Sequence, residues 1–175
     1  MKALNVGIVL SGLIVLGGCQ STKQIENTFD PAALRNSTDL TFSSPNLSSL
    51  HAPPIQSGFA YIETFEKSSF CKSNVEFIGK VTITKANKTQ FTKIPTGKVI
   101  AKIGYYSRTA IGHGFDYKTY YSLIAEPTDQ YEIILTEARP LITGFSVEIL
   151  ATTSTGLKKT IPFKKGKTRK EICAL

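Results

Sequence analysis

The chain reads as all-β: an antiparallel β-sandwich of about eight short strands, with a small β-barrel as the alternative closure. Three observations predict it. Residues 75–84 alternate, with Val75, Phe77, Val81 and Ile83 on one side and Glu76, Lys80, Thr82 and Thr84 on the other, the mark of a half-buried antiparallel strand. Turn formers recur between the apolar runs, at Ala86-Asn87, Pro95-Thr96-Gly97, Pro127-Thr128-Asp129 and Thr155-Gly156. No stretch between them has the 3.6-residue period of an amphipathic crossover helix, which argues against a parallel α/β sheet.

Taken in order, the expected strands cover residues 59–65, 75–84, 89–94, 98–106, 119–125, 131–138, 141–151 and 157–163. Phe145, Val147 and Ile149 mark the best central strand. The folded domain is placed at 58–175. Residues 20–57 are dominated by Ser, Thr, Asn and Pro, with scattered apolar residues, and are read with residue 19 as a flexible tether. A coil of that length spans roughly 35 Å. Asp30-Pro31 could open one short helical turn within it.

The start of the chain is different again. Lys2 precedes an apolar run over residues 6–16, broken by Ser11 and glycines. The run is about half the ~20 residues a spanning helix needs. A positive start, a short apolar stretch and then small residues describe a secretory signal. Gly17 and Gly18 end it in a backbone that favours extension over helix.

The stretch Leu16-Gly17-Gly18-Cys19 resembles the lipobox of bacterial lipoprotein precursors. The resemblance covers only the first 20 or so residues. It implies diacylglyceryl transfer to the Cys19 thiol, removal of residues 1–18 and acylation of the new amino group. Two or three acyl chains anchor stably where one is marginal. Gln20, in place of the Asp that commonly retains such proteins at the inner membrane, is compatible with export to the outer membrane, on its periplasmic face or at the cell surface.

Removing residues 1–18 leaves 157 residues, enough for one domain with a proper core. The whole chain carries a formal charge of +8, and +7 remains once Lys2 leaves. Such a balance favours anionic neighbours: acidic lipid head groups, lipopolysaccharide phosphates or an acidic protein. Nucleic acid, the usual first guess, is not expected of an exported lipoprotein. With Cys19 lipidated, Cys71 and Cys173 remain, and an oxidising compartment predicts their disulfide.

A second, looser resemblance concerns the domain. Ile94-Pro95-Thr96-Gly97-Lys98-Val99, followed later by Tyr131-Glu132-Ile133-Ile134, resembles immunoglobulin-like or transthyretin-like modules of small envelope lipoproteins. It implies the sandwich and carries no function.

The sequence offers little for catalysis. Of two histidines, His51 falls in the tether and His113 in the glycine-flanked 111–117 loop with Asp116. No His-x-His or Glu-x-x-His spacing would build a zinc site, and no Gly-x-Ser-x-Gly elbow occurs. Phosphate and dinucleotide fingerprints are also lacking. No enzyme activity, metal or cofactor is expected. Five of the seven tyrosines cluster at Tyr105, Tyr106, Tyr117, Tyr120 and Tyr121. Adjacent pairs on a strand send one ring inward and one outward, so exposed rings are expected as contacts for a protein or a sugar face. Near the carboxyl end Lys158, Lys159, Lys164, Lys165, Lys167, Arg169 and Lys170 form a basic segment, expected to face anionic lipid, lipopolysaccharide or an acidic partner. The alternative is a solvated edge whose lysines block strand-to-strand aggregation. Together these predict a non-catalytic adaptor or accessory subunit of an envelope assembly, or alternatively a binding module for envelope glycan or lipopolysaccharide.

Overall fold

The computed structural model describes residues 28–29, 36–47, 55–72, 77–109, 111–137 and 145–175. The expected signal, the lipobox with Cys19, and His51 lie outside the described residues. In chain order the elements are β1 (Thr28–Phe29), β2 (Ser37–Ser43), β3 (Ile55–Glu66), α1 (Lys67–Cys71), β4 (Gly79–Ile83), β5 (Thr89–Pro95), β6 (Gly97–Thr109), β7 (Gly114–Ala125), β8 (Gln130–Glu137), β9 (Phe145–Thr152), β10 (Lys158–Thr160), β11 (Lys164–Gly166) and α2 (Arg169–Ala174).

Among the described residues two sheets face each other. One is ordered β1-β4-β3-β6-β7-β11, the other β10-β9-β8-β2-β5. They form a β-sandwich and do not close into a barrel. Long antiparallel strands make the spine of the first sheet, with Ala60 opposite Tyr105 and Ala101 opposite Tyr121. Side chains alternate as a pleat requires. Ala60 and Ile62 of β3, Val99, Ala101 and Ile103 of β6, and Tyr121 and Leu123 of β7 face inward. They meet Leu40 and Phe42 of β2, Tyr131, Ile133 and Leu135 of β8, and Ile149 and Ala151 of β9. Each fully buried aliphatic side chain in that layer contributes roughly 1.5–3 kcal/mol relative to exposure.

The outer face of the first sheet is not left bare. Phe65 and Ile100 point away from the main core, yet α1 and α2 cover them with Phe70 and Ile172. Cys71 and Cys173 join the two helices in a disulfide with α-carbons 5.7 Å apart. The capping of α2 explains its start: Thr168 accepts a hydrogen bond from the Glu171 amide at 3.2 Å, and Glu171 accepts one from the Lys167 amide at 2.8 Å. Thr168-Arg169-Lys170-Glu171 is thus a capping-box spacing in the sequence.

Several expectations are corrected. The tether does not run to residue 57. Residues 37–43 form β2, which pairs with β5 and β8, and Leu40, Phe42 and Leu47 belong to the core. The sandwich therefore begins before residue 58, and β3 itself begins at Ile55. The reason is a short alternation, Leu40 and Phe42 between Asp39, Thr41 and Ser43, hidden in a polar composition. The second sheet is also mixed, because β2 runs parallel to β8. Of the strand expected over 157–163 only β10, Lys158–Thr160, forms, at the border of one sheet, and β11, Lys164–Gly166, follows it at the border of the other. Ile161, buried between them, packs into the core as the chain crosses.

The opposite side has its own crossing, where β4 of one sheet leads to β5 of the other. At the far end of β4 from that connection, Gly79 lies so close to β5 that a β-carbon would stand 2.3 Å from the Lys93 carbonyl oxygen. The return from β5 to β6 turns at Thr96-Gly97, with Gly97 at φ +86, a conformation glycine adopts without steric cost.

Candidate functional site

The β6–β7 register places the five tyrosines in four different surroundings. Tyr105 opposes Tyr117, and their rings stack at 5.5 Å with Phe145 edge-on to both. Tyr117 is 42 % exposed. Tyr106 lies half-buried on the outer face beside Phe59, at 5.4 Å. Tyr120 packs 5.6 Å from Phe70 beside the disulfide-linked helices. Tyr121 is a correction to the sequence reading: it is 1 % exposed, in the core, edge-on to Phe163 at 5.3 Å. The alternation that turns Tyr120 outward necessarily turns Tyr121 inward.

Beside Tyr106 the outer face carries a polar network. The Tyr61 hydroxyl donates to Asp116 Oδ1 at 2.8 Å. Glu63 receives Lys80 on one oxygen and Lys102 on the other, both at 2.7 Å. Lys102 also lies 5.4 Å from the Tyr61 ring centre. Burial pushes the Tyr61 hydroxyl far above its ordinary range, and the Asp116 carboxylate adds to this. Burial pushes Glu63 upward too, but the hydrogen bonds from Lys102 and Lys80 outweigh it and hold the carboxyl low. A neutral phenol and a doubly paired carboxylate have the character of structural contacts. Asp116 is further bound to Lys118 at 3.4 Å. Among the described residues no group of three His, Cys, Asp or Glu side chains is placed to hold a metal ion.

The basic segment is divided by the crossing from β10 to β11. Lys158 pairs with Glu132 at 3.6 Å. Lys159 pairs at 3.0 Å with Asp129, a carboxylate that is itself buried, and that bond raises the lysine's pKa. Arg169 lies over the Phe70 ring and donates to the Phe70 carbonyl. Lys164 reaches the Leu175 carbonyl oxygen at 3.4 Å. Lys165, Lys167 and Lys170 are exposed and make no ion pair among the described residues. The free basic surface is therefore smaller than the sequence run.

At the margin of β7 the surface opens into a groove of about 570 Å³. Leu123 and Ile124 of β7, with Ile161 and Pro162 of the crossing, give it apolar walls, and Lys67, Lys98, Lys159 and Lys164 also line it. A second groove of about 490 Å³ shares Lys67 and Lys98 and runs beside the disulfide. Sequence reasoning missed both. Their residues come from α1, β6, β7 and the 159–164 crossing, and no local pattern links those segments. In the sequence the half-buried Lys67 and the exposed Lys98 look like ordinary solvated lysines.

Among the described residues no helix is long and apolar enough to cross a membrane. No protein-family model, curated protein or solved structure matches this chain.

Proposed function

We propose that the chain is an exported lipoprotein, anchored in the outer membrane through acyl groups on Cys19, whose non-catalytic sandwich docks an envelope protein as an adaptor or accessory subunit. The observation that carries the reading is the Cys71–Cys173 bridge. Such a bridge belongs to an oxidising compartment and leaves Cys19 as the one cysteine outside it. The lipobox resemblance supports the same placement. Eight residues separate Cys19 from β1, and fully extended they reach at most about 30 Å. On this reading the domain works close to the bilayer, with Lys165, Lys167 and Lys170, three of its unpaired cations among the described residues, toward an acidic partner.

The test has two parts. Intact mass of the membrane-extracted chain should show residues 1–18 removed and acyl groups on residue 19, and Cys19→Ser should release the chain from membranes. An unacylated Cys19 would end the lipoprotein reading. Cross-linking should then recover one stoichiometric envelope protein, and charge reversal at Lys165, Lys167 and Lys170 should abolish it in a salt-sensitive way. The second reading, a glycan or lipopolysaccharide module, is favoured by the stacked and exposed Tyr117. Retention on immobilised envelope glycan that Tyr117→Ala abolishes would select it over the adaptor.

A further inference from the structure

We propose that the groove beside β7 binds one molecule of an anionic phospholipid, its acyl part against Ile124, Ile161 and Pro162 and its phosphate toward Lys67 and Lys98. The inference rests on the membrane-proximal placement above and goes beyond it by naming a monomeric ligand and its seat.

The walls and the rim have different chemistry. Ile124 is 60 % exposed although the groove flanks it on a sheet face, and covering such a side chain is favourable in proportion to the apolar area removed from water. The volume of about 570 Å³ falls within the range of small-molecule sites. Lys159 is already held by Asp129. Lys67 and Lys98 make no ion pair among the described residues. Glu126 is the opposing acid in the lining, and the cations outnumber it. That charge complements a phosphate.

The backbone distinguishes a lipid from a peptide. β7 is paired along its length with β6, but with β11 only over Tyr120–Ser122. The edge left beside the groove, from Leu123 to the strand's end at Ala125, is too short to give an extended peptide more than a few main-chain hydrogen bonds. An acyl chain needs no hydrogen bonds and is satisfied by aliphatic walls.

The experiment uses the full chain carrying Cys19→Ser, so that no acyl group of its own competes. It is titrated calorimetrically with dihexanoylphosphatidylglycerol below the micellar concentration. One saturable site is expected. Dihexanoylphosphatidylcholine and inorganic phosphate should each bind at least about tenfold more weakly, as loss of the charge or of the chain demands. Lys98→Glu and Ile124→Asp alter exposed side chains and should each weaken phosphatidylglycerol by about tenfold. Lys165→Glu, which makes the same charge change outside the groove lining, should leave it unchanged.

No saturable binding, or affinity indifferent to both groove variants, would overturn the proposal. Equal affinity for inorganic phosphate would reduce the groove to an anion site and overturn it as well, as would displacement of the lipid by an acidic peptide or by a second copy of the chain. Because the titrated chain is unanchored, failure here leaves the Cys19 reading standing. Conversely, an unacylated Cys19 would not alter the titration.

Discussion

Cys71 on α1 and Cys173 on α2 are bridged across 102 positions of sequence, and the bridge clamps both helices over Phe65 and Ile100 on the outer face of the first sheet. Closing so long a loop restricts the unfolded chain by about 5 kcal/mol in the chain-entropy account. The double variant Cys71→Ser/Cys173→Ser should therefore lose about that much stability in urea unfolding. The midpoint should fall, while an unchanged midpoint would remove the bridge from any role in stability.

Leu40 tests the enlarged domain. It is buried between β5 and β8 in a segment whose composition resembles a linker. Leu40→Ala should cost about 3 kcal/mol, the usual toll of a large-to-small change in a packed core. A loss under about 0.5 kcal/mol, as for a surface site, would return residues 37–43 to the tether.

Glu63 sets an acid limit. Its folded pKa is lowered, because the bonds from Lys102 and Lys80 outweigh the burial that alone would raise it. The stability this provides is fully present above the unfolded carboxylate pKa of about 4.3 and is lost as pH falls through the lower folded value. Glu63→Gln should destabilise the protein at neutral pH by about 2 kcal/mol, leaving two partly covered ammonium groups without their carboxylate. It should also flatten the decline of stability between pH 5 and acid, measured by thermal unfolding across a pH series. A variant with the parent's acid slope would assign that slope to other carboxylates.

Tyr117 and Tyr121 separate binding from folding. Tyr121→Ala empties a core position and should cost about 3 kcal/mol or more. Tyr117→Ala loses a half-exposed ring and its stack on Tyr105, worth about 1 kcal/mol. Equal losses would place both rings in the same environment, against the exposure of Tyr117 and the burial of Tyr121 along one face of β7.

Gly79→Ala probes the contact between the start of β4 and the end of β5. The added methyl would press on the Lys93 main chain, and overpacking of that kind costs about 1–3 kcal/mol. Chemical denaturation reads it directly, and a neutral result would show that the two strands part there easily.

How far the sequence alone reached follows from the range of each interaction. The alternation at Val81 and Ile83, the turn at Pro95-Thr96-Gly97 and the strand at Phe145 and Ile149 were legible because pleat and turn chemistry are local. The disulfide was legible by counting cysteines, which needs no geometry. The capping box at Thr168 and Glu171 is equally local, a spacing of three residues. β2 was not legible, since two apolar residues in a polar stretch become a strand only when β5 and β8 supply partners on both sides.

By itself, then, the sequence determined the all-β class, the basic balance, the paired cysteines and the resemblance of residues 16–19 to a lipidation site, because each rests on neighbouring residues or on composition. Tertiary structure alone decided which tyrosine is core and which is surface, which lysines are already held by carboxylates, and that distant segments meet in one groove. A strand's pattern states that two faces differ. Only packing against the other sheet, and the helices clamped over its back, state which face meets water.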